Sequence, residues 1–126
     1  MFGPMKPLVA GAAILLAAAM PARADGDAEA GKTLFNRQCA VCHAVQAGQN
    51  KVGPSLAGVV GRHSGEAPGF NYSPAMKGAD RTWDAAALDS YLTDPRASVA
   101  GTRMIFAGLK DAQQRANVIA YLETLK

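Results

Sequence analysis

Cysteine is scarce in this 126-residue chain: there are two, and both fall within one five-residue stretch. A multi-bridge disulfide framework is therefore excluded. Aromatic residues make up only 6% of the chain, with a single Trp, so the core it can build unaided is modest. Alternating apolar and polar positions, the mark of half-buried strands, are missing. No apolar run reaches the about 20 residues that a membrane-spanning helix needs. Neither charge sign dominates, with 13 Lys and Arg against 10 Asp and Glu. No basic stripe stands out, which argues against nucleic acid as a partner. Beyond residue 24 there is no internal repeat and no low-complexity tract.

The stretch that holds both cysteines is Cys39-Ala40-Val41-Cys42-His43, and it carries one of the two histidines. Thiols three positions apart can add to the two vinyl groups of one haem, with the adjacent imidazole held under the iron as the proximal ligand. C-x-x-C-H thus reads as covalent c-type haem attachment through Cys39 and Cys42, with His43 on the metal. Other readings fit less well. A thioredoxin-like redox pair wants a βαβ pattern around it. A zinc site would have to recruit Cys39, Cys42, His43 and His63, and neighbouring Cys42 and His43 do not easily aim at one tetrahedral ion. A plain disulfide closing so short a loop gains little.

The chain opens with an export pattern. Lys6 supplies a weak positive region, Leu8 to Met20 is apolar, and Ala22-Arg23-Ala24 fits the A-x-A rule. Residues 1–24 are read as a signal peptide cleaved after Ala24, which leaves residues 25–126 as one domain in the periplasm. Loss of Lys6 and Arg23 takes the formal charge from +3 to +1.

An all-α fold is expected. Asp25-Gly26-Asp27 offers caps for a first helix in which Gly31, Leu34 and Phe35 share a face, running towards Cys39. Residues 44–81 read as loop, rich in Gly, Pro, Ser and Asn. So long a loop in a small domain needs something to organise it, and a haem edge would serve. A second helix is expected from an N-cap at Thr82, with Asp84 in its first turn, Leu88, Tyr91 and Leu92 on one face, and Pro95 as its end. A third is expected from Asp111, with Gln114 completing a D-x-x-Q capping box and Val118, Tyr121, Leu122 and Leu125 as its stripe.

The sixth position on the iron decides the chemistry. A Met partner gives an electron-transfer site, and an open position gives ligand binding or catalysis. Met104 lies in an irregular segment between the second and third helices that can fold over the distal face. Met76, in a Ser-Pro-Ala-Met-Lys-Gly turn, reads as a half-exposed apolar residue, and His63 as a solvated loop histidine. On placement alone all three remain candidates, with Met104 ahead.

Beyond C-x-x-C-H, an ordered series runs along the chain: Val52-Gly53-Pro54-Ser55-Leu56-Ala57-Gly58-Val59-Val60-Gly61-Arg62, Ala67-Pro68-Gly69-Phe70-Asn71-Tyr72-Ser73, Trp83, Gly101-Thr102-Arg103-Met104-Ile105-Phe106-Ala107-Gly108, and Asn117-Val118-Ile119-Ala120-Tyr121-Leu122. With this series the chain resembles the class I cytochromes c, in particular the bacterial cytochrome c2 type, over residues 25–126. The resemblance implies the class I cytochrome c fold, with N- and C-terminal helices crossing and long loops wrapped around one haem c. It implies His43 and Met104 as axial ligands, and Pro54 as the carbonyl acceptor for the His43 ring N–H. It implies Arg62, Tyr72 and Trp83 as hydrogen-bond donors to the propionates. Tyr91 would pack near the methionine sulfur, and Thr102 would be a distal hydroxyl. Gly31 and Phe35 would pack on Val118, Tyr121 and Leu122.

Three positions depart from the family habit: Ala100 where a proline is common, and Arg96 and Arg103 where lysines are. Lys51, Arg96, Arg103 and Lys110 would rim the exposed haem edge as a weakened positive face. The implied function is a soluble, monomeric one-electron carrier and not an enzyme, meeting membrane or periplasmic redox proteins in transient complexes. Its rivals are a dedicated subunit of one dehydrogenase or oxidase, and a gas-binding or peroxidase-like protein with a labile Met ligand.

Overall fold

The computed structural model describes residues 2–4, 6–14 and 26–126. Residues 15–25, which hold Ala22-Arg23-Ala24 and the expected cleavage point, lie outside them. Among the described residues the elements are α1 (Ala28–Gln38), α2 (Pro74–Lys77), α3 (Ala85–Thr93), α4 (Pro95–Ser98) and α5 (Ala112–Glu123). No strand is present among them, and no helix is long and apolar enough to cross a membrane.

Helix α1 starts where Asp27 Oδ1 accepts the N–H groups of Glu29 at 2.9 Å and Ala30 at 3.1 Å. Those amides have no partner within the helix, so the side chain replaces lost water. Helix α5 starts in the same way, with Gln114 N–H donating to Asp111 Oδ1 at 2.8 Å. The two helices cross at Gly31. A Cβ there would run into the backbone carbonyl of Asn117, so only glycine lets the helices come this close. Phe35 and Tyr121 pack with tilted rings beside the crossing, centroids 5.3 Å apart. Phe35 and Val118 are fully buried, and each such side chain contributes about 1.5–3 kcal/mol by leaving water. Asn117 also accepts the Asp27 N–H at 2.8 Å, tying the head of α1 to α5.

Helix α3 begins two residues later than the sequence reading placed it. Its N-cap is Asp84, whose Oδ1 accepts the Ala87 N–H at 2.8 Å. Thr82 is committed elsewhere, in an isolated antiparallel bridge to His63. Residues 44–81 are not loop throughout either. Ser73 caps α2 with Pro74 at its first position, and Met76 is buried there rather than half-exposed. Pro95 does follow the end of α3, and the same proline opens α4 beneath the Asp94 cap.

The bridge at His63 and Thr82 belongs to a short ladder. Gly61 N–H donates to Trp83 O at 2.8 Å, Trp83 N–H to Arg62 O at 2.9 Å, and Ser64 N–H to Arg81 O at 2.8 Å. It holds the long loop against the chain before α3 and brings Arg62 beside Trp83. His63 is not simply solvated: Asp80 lies 3.0 Å from its Nε2 and Glu66 3.3 Å from its Nδ1.

Candidate functional site

The site grows from the C-terminal end of α1. The helix stops at Gln38, and Cys39 to Cys42 continue as turns, with Cys39 O accepting the N–H groups of Cys42 at 3.1 Å and His43 at 3.0 Å. This winding sets two free, half-buried thiols beside the imidazole. Burial, followed by the neighbouring Cys42, pushes the Cys39 thiol up to about 11, so it is protonated at neutral pH.

The chain returns at residues 51–54 to meet this turn. Gly53 N–H donates to Cys42 O at 2.8 Å. His43 Nδ1 lies 2.8 Å from the Pro54 carbonyl oxygen. A carbonyl can only accept, so Nδ1 carries the proton and the Nε2 lone pair is left for a metal. Burial lowers the His43 pKa, with the positive charges of Arg62 and Lys51 acting in the same sense and the Pro54 bond opposing them. The imidazole is thus neutral near pH 7, the form that ligates. Gly53 directly precedes Pro54 in the chain. A Cβ on it would stand 2.7 Å from His43 Nδ1, so its missing side chain makes room for the ring. A glycine before Pro54 was the one available signal.

Arg62 is half-buried. Its Nη1 donates to Ser55 O at 3.0 Å and to Ala57 O at 3.4 Å, while its Nε is buried with no partner. Burial pulls its pKa down and nearby Tyr72 partly restores it. Tyr72 is buried edge-on to Phe70 at 4.9 Å, and its hydroxyl oxygen accepts the Ala67 N–H at 3.0 Å. The hydroxyl proton is still free to donate.

A second group carries the Met104 segment. Trp83 and Tyr91 are buried with centroids 5.1 Å apart. The Tyr91 hydroxyl lies 2.8 Å from Thr102 Oγ1, which also accepts the Met104 N–H at 3.4 Å. Burial raises the Tyr91 pKa, against smaller opposing effects from Thr102 and Arg81. Gly101, at φ +88°, leaves room for Ala75 of α2, whose Cβ would be 3.1 Å from an added Cβ. Arg81, which the sequence reading passed over, donates to Ser98 Oγ at 2.8 Å and to Ser98 O at 3.0 Å.

The structure therefore joins His43 with Pro54, Arg62 with Trp83, and Trp83 through Tyr91 and Thr102 to Met104. It does not pair the Tyr72 hydroxyl with either Arg62 or Trp83. Two surface hollows, one lined by Gly58, Val60, Leu122 and the last residues, the other by Asp94, Arg96, Ile105, Phe106 and Ala107, contain none of these eight residues and neither cysteine. The chemistry, rather than those hollows, marks the site. Two free thiols, one imidazole lone pair and an orphaned buried guanidinium N–H fit a haem with anionic propionates. Half-buried Leu56, Phe70, Met104 and Phe106 at the edge of the core offer the apolar surface that a porphyrin plane would cover.

The cytochrome c family model matches residues 28–126. The chain is 47% identical over 120 residues to the cytochrome c2 of Blastochloris viridis, an alignment covering 94% of this chain and 93% of that protein. It is 51% identical over 105 residues to a cytochrome c-type cyt cy of Rhodobacter capsulatus, covering 83% of this chain but spanning only 52% of that relative's length. Among solved structures, cytochrome cH from Methylobacterium extorquens superposes with a TM-score of 0.74 at 45% identity, over 79% of this chain and 99% of that one.

Proposed function

The chain belongs to the cytochrome c family, and from that membership we propose a periplasmic one-electron carrier whose haem c is ligated by His43 and Met104. Haem c bound through Cys39 and Cys42 supplies the chemistry, a reversible one-electron change at iron. The protein's part is to bind, orient and tune. His43 is aimed by the Nδ1–H bond to Pro54, the observation that most directly carries the reading. Met104 approaches on a segment steadied by the Thr102 hydroxyl. Met104 would supply a soft thioether, which favours ferrous iron, and together with His43 would leave no iron position for exogenous ligands. Arg62, with its unpartnered Nε, is the strongest candidate propionate partner, with Tyr72 and Trp83 beside it.

Residues 25–126 form the electron-transfer domain, and residues 1–24 act as the export signal that delivers it for haem attachment. Val41, Val52 and Ile105 are exposed, each a chain neighbour of a site residue. With the exposed Lys51, Arg96, Arg103 and Lys110 they would offer apolar and positive groups for brief docking to a redox partner.

Replacing Met104→Ala tests the reading. The reduction potential falls and the reduced protein binds CO, whereas Met76→Leu leaves both as in the wild type. A Met104→Ala protein with an unaltered ferric spectrum would contradict the assignment.

A further inference from the structure

The haem-attachment turn lies where α1 runs out of partners for its last carbonyls, at the negative end of the helix. Cys39 O is taken by Cys42 and His43, and Cys42 O by Gly53. The Ala40 carbonyl receives no backbone N–H. It accepts the Lys51 ammonium instead, at 2.6 Å from Nζ, across eleven residues of sequence. The backbone around Lys51 is fixed as well, because its own N–H donates to Gly53 O at 2.9 Å. The four residues 51–54 thus reach the attachment turn three times: through Lys51 Nζ to Ala40, through Gly53 N–H to Cys42, and through Pro54 O to His43.

We propose that Lys51 is a positioning residue: its ammonium caps the Ala40 carbonyl and, with Gly53 and Pro54, clamps the haem-attachment turn so that His43 is held at a fixed angle. This rests on the reading of His43 as the proximal ligand. The contact is charge-assisted and short for an N–H···O bond, and a cation at a helix C-terminus is favoured by the dipole as well as by the unpaired carbonyl. Two roles for Lys51 then separate. As a free docking charge it would act only on encounter with a partner. As a clamp it acts within the molecule, and it keeps one positive charge beside the proximal ligand, where it favours the ferrous state.

The test uses the haem-loaded protein with Lys51→Gln, Lys51→Arg and, as a surface-charge control, Lys32→Gln. Lys51→Gln is expected to speed amide exchange at Gly53 about tenfold and to speed exchange of the His43 ring Nδ1–H with it. Lys51→Arg restores most of both, and Lys32→Gln changes neither. Exchange at Gly53 and at the His43 ring unchanged from wild type in Lys51→Gln, with only the salt dependence of electron transfer altered, would make Lys51 a docking charge and overturn the proposal. Faster exchange at Gly53 with an unchanged His43 Nδ1–H also overturns it, since the clamp would not reach His43. Failure of the proximal-ligand reading would appear separately, as a haem spectrum that His43→Gln leaves unaltered.

Discussion

At the scale of single residues, the site works by leaving one option open on each group. Nδ1 of His43 is spoken for by Pro54, so the Nε2 lone pair is left free for a metal. Arg62 uses Nη1 on two backbone carbonyls and keeps Nε for an anion. Gly53 contributes by having no side chain. Gly53→Ala would push a methyl against the His43 ring and weaken the Pro54 bond. A less basic imidazole stabilises ferric iron less, so the reduction potential should move upward, read by redox titration of the haem-loaded protein; an unmoved potential would show that the ring does not depend on this glycine. His63 gives a prediction in pH. Its bond to Asp80, with Glu66 adding, raises its folded-state pKa above the ordinary histidine value. The stabilisation is then fully present below about pH 6.5 and is lost as pH rises through the raised value. Denaturant midpoints measured from pH 5.5 to 8.5 should fall more in the wild type than in His63→Gln, by a small amount that salt screens. Parallel profiles would mean that the ion pairs do not form in solution.

At the scale of elements, the crossing of α1 and α5 frames the site, and its tolerance is set by Gly31. Gly31→Ala places a Cβ on the Asn117 carbonyl, so the helices must part. Overpacking of this kind costs about 1–3 kcal/mol and should lower the melting temperature while leaving the haem spectrum unchanged; a wild-type melting temperature would show that the helices cross more loosely. Both helices were legible in the sequence because each carries a capping aspartate and an apolar face at helical spacing. The start of α3 was misread because Thr82 and Asp84 are both good caps. The choice between them is made by the His63–Thr82 bridge, a contact 19 positions apart in sequence that no local pattern encodes. Helix α2 was hidden for another reason. One turn is too short to show periodicity, although Ser73 and Pro74 are a cap and a first-turn residue.

At the scale of the whole molecule, a small chain with few aromatics leaves Leu56, Phe70, Met104 and Phe106 half-buried against its core rather than closed within it. That arrangement suits a prosthetic group that completes the core and staples it through two thioethers. The haem c attachment motif was legible as C-x-x-C-H, and the His43–Met104 ligand set is proposed from it and from the order of the later motifs. The clamp at Lys51 and the space at Gly53 were not, because they arise only when residues 51–54 fold back on the turn. The central claim is a six-coordinate His43–Met104 carrier. It is tested most directly by the optical spectrum of the reduced, haem-loaded protein with and without CO. An unchanged spectrum is the predicted result, with the thioether holding the sixth position. A prompt shift on adding CO would contradict it and identify an open or labile iron site.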